Sequence, residues 1–249
     1  DSNFQTAVNL WFSNQADANK TYGHIRDWNV SAVTDMSEAF KDRTTFNEDI
    51  SGWDLSNVTS MKAMFSGASS FDQPIGNWNV SSVRNLQGTF MEATSFNQAI
   101  EDWNVSSVYT MQGSFLKASA FNQPIGNWNV SSVRSFRGTF NGASSFNQNI
   151  GDWNVSSASN LQSVFNGASA FDQDLSDWNV SSATVMTDMF KNTTTLSSSN
   201  KERIHASFSS NPNWPYDWSG QSTQPGSGDS NTTNPDDNTT QPGTPTGDL

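Results

Sequence analysis

The residues that most often carry chemistry are sparse in this chain. His24 and His205 are its only histidines, cysteine is absent, and the two imidazoles sit near opposite ends. Neither has a carboxylate at the spacing of a metal site, and no Gly-x-Ser-x-Gly elbow or phosphate-binding glycine loop occurs. The adjacent carboxylates Glu101 and Asp102 read as surface features of a turn. The expectation is therefore no catalytic residue, no metal ligand, no cofactor and no enzymatic activity. Disulfides and thiolate metal sites are ruled out by composition.

Binding chemistry is better represented. Asn29, Asp54, Asn79, Asn104, Asn129, Asn154 and Asn179 recur every 25 residues. Asp27, Asn77, Asp102, Asn127, Asp152 and Asp177 keep the same beat two places earlier. Stacked in register, these side chains make an array of carboxamides and carboxylates. Such an array has two readings. It is a face for sugar hydroxyls, Ca2+ or ice, or it is an amide ladder in which stacked asparagines hydrogen-bond to one another. The same asparagines create Asn-Val-Ser motifs, a by-product of the repeat rather than a row of glycosylation sites. A second candidate is Arg84, Tyr109, Arg134 and Arg137, at places where other units carry Thr, Ser or Gln. Arg and Tyr are favoured interface anchors, so this cluster reads either as a partner-binding patch or as a solvated helix surface.

What must position these residues is a repeat. Trp recurs at 28, 53, 78, 103, 128, 153 and 178. Phe recurs at 40, 65, 90, 115, 140, 165 and 190, and again at 46, 71, 96, 121, 146 and 171. Self-similarity of this kind marks a stacked-repeat architecture. Within a unit, Trp153 and Val155 alternate about Asn154, the period of a short strand with one buried face. Ser156 and Ser157 then suit a helix N-cap. Val58, Met61, Phe65 and Ala68 follow at steps of three, four and three, which predicts a helix of about three turns. Gly67, Gly142 and Gly167 stand where a left-handed residue would end it. The fold class expected is α/β: a solenoid with a parallel β ladder on one side and short helices on the other. Trp53, Trp78, Trp103, Trp128 and Trp153, with Phe65, Phe90, Phe115, Phe140 and Phe165, are its structural core.

The ends differ from the middle. Residues 1–24 carry Phe4, Ala7, Val8, Trp11 and Phe12 on one helical face, an N-terminal cap. The repeats run over 25–190, and a C-terminal cap follows at 191–218, with Leu196, Ile204, Phe208 and the run NPNWPYDW. Residues 219–249 are rich in Ser, Thr, Asn, Gly and Pro and read as a linker to a further domain. The opening at Asp1, with no leader pattern, is expected of a mature or excised piece. A formal net charge of −12 disfavours nucleic acid and anionic lipid as partners. No segment has the apolar length of a membrane helix.

The runs FDQPIGNWNVSSV at 71–83 and FNQPIGNWNVSSV at 121–133, with AVNLWFSNQADANKTYGHI at the start and IHASFSSNPNWPYDWS at the end, closely resemble the BspA-like leucine-rich repeat surface proteins. The spacing Ile50-x-x-Trp53-x-Leu55 matches the L-x-x-L-x-L core of such repeats. The resemblance covers residues 4–219. It implies a leucine-rich-repeat-like fold and an extracellular or cell-surface location. It implies binding to a protein or glycan on another cell or matrix, and it brings no catalytic residues. Trp and Phe replace Leu here, so no ligand carries over. The expectation is thus a non-enzymatic surface or secreted protein for adhesion or protein–protein interaction. The alternatives are a carbohydrate- or ice-binding module using the Asn/Asp array, and a fibre or surface-layer subunit self-associating through its caps.

Overall fold

A computed structural model describes residues 1–220. The expected linker at 219–249 lies, from residue 221 onward, outside the described residues. Two helices open the chain, α1 (Ser2–Ser13) and α2 (Gln15–Tyr22). Phe4, Ala7, Val8 and Trp11 form the buried stripe of α1. Asn14 separates the helices: its N–H donates to the Leu10 carbonyl and its side chain accepts from the Asp17 N–H. A 3-10 turn, Ile25–Asp27, leads into the repeats, and α3 (Ser198–Phe208) follows them.

Between α2 and α3 the 25-residue units stack one on the next, but not as the α/β solenoid expected from the sequence. Among the described residues no strand and no sheet forms, and no α-helix lies within the repeats. The β pairing consists of six isolated parallel bridges, from Asp35–Ser60 through to Asn160–Val185, one residue per turn. The leucine-rich-repeat-like β ladder is therefore absent, and so is the helical side. The Trp-Asn-Val segment is a pair of corners instead. The Trp153 N–H closes a turn onto the Ile150 carbonyl at 3.1 Å and the Ala158 N–H closes another onto Val155 at 2.8 Å.

The 3-4-3 spacing that mimics a helix arises from consecutive tight turns. Met64, Ser66 and Ala68 donate their N–H groups to the carbonyls of Met61, Ala63 and Phe65, three residues back. The interleaved N–H groups of Met61, Ala63, Phe65 and Gly67 reach the next unit instead. Their acceptors are the carbonyls of Asn85, Gln87, Thr89 and Met91, at 3.0, 2.8, 2.8 and 2.7 Å. An α-helix uses every N–H internally and leaves none for the neighbouring turn. Alternation requires a left-handed residue at two places per unit, as in type II turns. Ala63 (φ 51) and Gly88 (φ 63) occupy one, Glu92 (φ 59) and Gly142 (φ 71) the other. The non-glycine residues there each cost roughly 1–2 kcal/mol, offset by the inter-turn bonds that fix them.

Three aromatic files fill the interior. Phe65 and Phe90 stack at 5.6 Å, Phe71 and Phe96 at 6.0 Å, Trp103 and Trp128 at 6.3 Å. From Trp53 to Trp178 each indole N–H of the file also donates to a carbonyl of the preceding unit, Trp103 to Ile75 at 3.0 Å and Trp128 to Ile100 at 3.0 Å. Burying such rings contributes about 1.5–3 kcal/mol each, most of it offset by backbone ordering.

The two ends replace the missing neighbour with side chains. Elsewhere the N–H at the Thr34 position bonds to the previous unit; at Thr34 the Asp1 carboxylate accepts it at 2.8 Å. The Phe190 N–H has no following unit, and the Tyr216 hydroxyl accepts it at 2.8 Å. Trp214, Tyr216 and Trp218 lie edge-on to the Phe190 ring. Asp172 anchors α3 by accepting from the Ser197 N–H, the Ser197 hydroxyl and the Asn200 amide at 2.9, 2.8 and 2.7 Å. Burial alone would raise the Asp172 pKa, but these hydrogen bonds and the Arg203 charge outweigh it and hold it below the usual carboxylate value.

Tyr216→Phe leaves the Phe190 N–H without its acceptor and should cost about 1–3 kcal/mol. Hydrogen exchange should rise around residues 186–192 and stay unchanged in the central units. A lowered Asp172 pKa stabilises the fold above the ordinary carboxylate range and loses that contribution as pH falls through it, below about 4. Exchange across α3 should therefore rise on acidification. Asp172→Asn, which keeps the acceptor oxygen without the charge, should flatten that dependence.

Candidate functional site

Both histidines are engaged in the caps. His24 Nδ1 accepts from the backbone N–H and Nε of Arg26 at 3.3 and 3.2 Å, and its ring packs edge-on against Trp11. His205 Nδ1 accepts from the Trp214 indole at 3.0 Å. Among the described residues no three His, Asp or Glu side chains gather at metal-binding distance.

The Asn/Asp array is exposed along one file, from Asn29 and Asp54 to Asn154 and Asn179. Its side chains bond within their own units rather than to one another. Asn104 Oδ1 accepts from the Ser106 N–H at 3.2 Å and the Ser106 hydroxyl at 2.7 Å. Asn79, Asn129 and Asn154 repeat this arrangement. These are Asx turns that bend the chain after each Trp, so the array belongs to corners and not to a strand face. At Asp54 the Ser56 hydroxyl and N–H hold the carboxyl below its usual range.

An inter-turn amide file does exist, but one the sequence reading missed. Asn47 Oδ1 accepts from the Asp72 N–H, Asn97 from Asn122, Asn122 from Asn147 and Asn147 from Asp172, each at 2.8–2.9 Å. Gln123, Gln148 and Gln173 add amide donors to the same oxygens. Its signal in the sequence is the fixed Asn or Asp after the second Phe of each unit.

The Arg/Tyr cluster is assembled by the backbone. The Tyr109 N–H donates to the Arg84 carbonyl at 2.9 Å, and the Arg134 N–H to the Tyr109 carbonyl at 2.9 Å. Arg84, Tyr109 and Arg134 are thus consecutive members of one exposed file, about 4.8 Å apart along the stack. Arg137 lies in the adjacent row, its carbonyl accepting the Gly113 N–H at 2.8 Å. The cluster flanks the bridge residues Asn85, Thr110 and Ser135, not a helix, because the stretch carrying it pairs with its neighbours. Lys62, unremarked in the sequence, joins it in the Arg137 row. Tyr109, 48% exposed, is the one large hydrophobic side chain left open among the described residues.

What sets this face apart is the carboxylates it lacks. Segments 59–63, 84–88, 109–113, 134–138 and 159–163 contain no carboxylate and four cations, Lys62, Arg84, Arg134 and Arg137. None of the four side chains pairs with a carboxylate among the described residues; of the other eight Lys and Arg, Lys41, Lys117, Lys191 and Arg203 pair and Lys20, Arg26, Arg43 and Lys201 do not. A row of unpaired cations beside hydroxyls, amides and an exposed phenol can bind an anionic partner without first breaking internal contacts.

A profile of the family described as Mycoplasma protein of unknown function, DUF285, matches residues 6–124 and 98–203. The chain belongs to this family. It is a repeat domain for which the family description states no function. No curated protein and no solved structure matches the chain.

If the exposed asparagines serve to close corners, their acceptor oxygen is what matters. Asn129→Ala should cost about 0.5–1.5 kcal/mol. Asn129→Asp, which reproduces the residue at position 54, should stay within about 0.5 kcal/mol. Denaturant melts of the two variants check this.

Proposed function

We propose that the chain acts by binding rather than catalysis, as an adhesive or protein–protein interaction module displayed outside the cell. The finer kinship with BspA-like surface proteins belongs to the same reading. One observation carries it: on a body of net charge −12, four unpaired cations and the exposed Tyr109 share one face. They are grouped on successive turns with every acid kept off those rows.

The scaffold does not need these side chains. Thr59, Ser159 and Thr184 stand in the same file as Arg84, Tyr109 and Arg134 and make the same backbone bonds. Arg and Tyr in such positions supply interface energy at no cost to the stack. The Asn/Asp array is a weaker candidate, because its oxygens are already occupied by Asx turns. Self-assembly through the caps has less support too, since Asp1 and Tyr216 occupy end groups that a second copy would need.

Adhesion is tested with beads carrying the folded protein, presented to cells and to extracellular matrix. Arg84→Ala, Arg134→Ala and Arg137→Ala together should abolish attachment while changing stability by no more than about 0.5 kcal/mol per site. Raising salt should weaken wild-type attachment by screening. Attachment that survives the triple substitution would remove this face from the proposal.

A further inference from the structure

The cationic face borders a groove that runs along the stack. It has a volume of about 430 Å3 and extends from Glu38 to Ser163. Six turns contribute to it, so its length is about 24 Å at 4.8 Å per turn. Its floor is Ala63, Gly88, Gly113 and Gly138, where the left-handed backbone and the absence of large side chains keep the channel open. One wall carries Lys62, Gln87, Gln112, Arg137 and Gln162; the other carries Met91, Leu116 and Asn141. Glu38 is the only carboxylate lining it, and Lys41 neutralises that group at 3.3 Å.

We propose that this groove, with the adjoining Arg84–Tyr109–Arg134 file, binds a linear anionic polysaccharide laid along the stack. The inference rests on the interaction face proposed above and names the chemical class of its partner. Charge complementarity supplies the first argument: unpaired Lys62 and Arg137 line the channel and Arg84 and Arg134 flank it, and none of the lining residues from Lys62 to Ser163 is acidic.

The floor supplies the second. Its N–H groups donate to the next unit, Gly88 to Gln112 at 2.9 Å and Gly113 to Arg137 at 2.8 Å. Its carbonyls accept from Met91 and Leu116 at 3.1 Å. No backbone edge is left for an extended peptide to join by strand addition, so recognition falls to side chains. Carboxamides at Gln87, Gln112 and Gln162 both donate and accept, which suits hydroxyls. Met91 and Leu116 offer apolar contact to ring C–H groups, and the exposed Tyr109 offers a face to stack against. A carboxamide recurs on adjacent turns at Gln87 and Gln112 and again at Gln162, at a spacing close to the length of one sugar ring, so successive sugar units meet like hydrogen-bonding partners there.

The test uses calorimetry with the folded chain and four probes: heparin oligosaccharides of defined length, hyaluronan oligosaccharides, dextran and poly-L-glutamate. Either acidic oligosaccharide should bind, with affinity levelling off at about five rings. Dextran and poly-L-glutamate should bind at least about tenfold more weakly. The double variant Gln87→Ala, Gln112→Ala should weaken the oligosaccharide about tenfold or more and leave poly-L-glutamate unaffected. Equal binding of poly-L-glutamate, or indifference to the glutamine substitutions, would reduce the groove to a polyanion surface and overturn the assignment. If neither oligosaccharide binds while cell attachment still depends on the arginines, the polysaccharide is overturned and the interaction face stands. If attachment is indifferent to the arginines as well, both fail.

Discussion

Through residues 61–68 and their counterparts, backbone N–H groups alternate between two destinations, a carbonyl three residues back and a carbonyl in the next unit. The rest of the structure depends on this alternation. It demands left-handed backbone at two fixed places per unit, and Glu, Ala, Ser, Lys, Asp and Asn adopt it there when glycine is not supplied. It also fixes the register of the stack, because each bond ties a residue to its equivalent one unit away. Equivalent side chains then fall into files: phenyl on phenyl, indole on indole, and on the surface Arg84 beside Tyr109 beside Arg134.

Such a stack has two open ends, and each is closed by a side chain standing in for a missing backbone group. Asp1 supplies a carboxylate in place of the carbonyl that the Thr34 N–H would find in a preceding turn, and Tyr216 supplies the oxygen that the Phe190 N–H would find in a following one. Contacts between neighbouring turns dominate such architectures. The energetic consequences of losing a cap are accordingly local.

The proposed function rests on what the files carry outward. Positions whose backbone is already paired are free to vary in their side chains. In the middle turns they carry cations, amides and one open tyrosine. The groove beside them exists because one row of left-handed positions takes Ala63, Gly88, Gly113 and Gly138, whose small size leaves a channel along the stack. Membership of the DUF285 family states the repeat and leaves its activity open, which is why the chemistry of this face carries the functional reading.

The sequence by itself determined the period, the aromatic files and the amphipathic stripe of α1. A 25-residue beat of Trp and Phe leaves no other way to bury those rings than by stacking like on like. It also exposed the Arg84, Tyr109, Arg134 and Arg137 cluster as departures from the unit. Local conformation was decided only by the tertiary structure. Val58, Met61, Phe65 and Ala68 have the spacing of a helix, and Trp153 and Val155 that of a strand, yet neither element forms. Periodicity reports which side chains face inward and not where the N–H groups go. Consecutive turns and a helix can bury the same residues, and the choice between them rests on the carbonyls of the adjacent unit. For the same reason the inter-turn role of Asn97, Asn122 and Asn147 was hidden while the exposed Asn104 file drew attention. An asparagine that closes its own corner and one that holds its neighbour's backbone look alike until the turns are stacked.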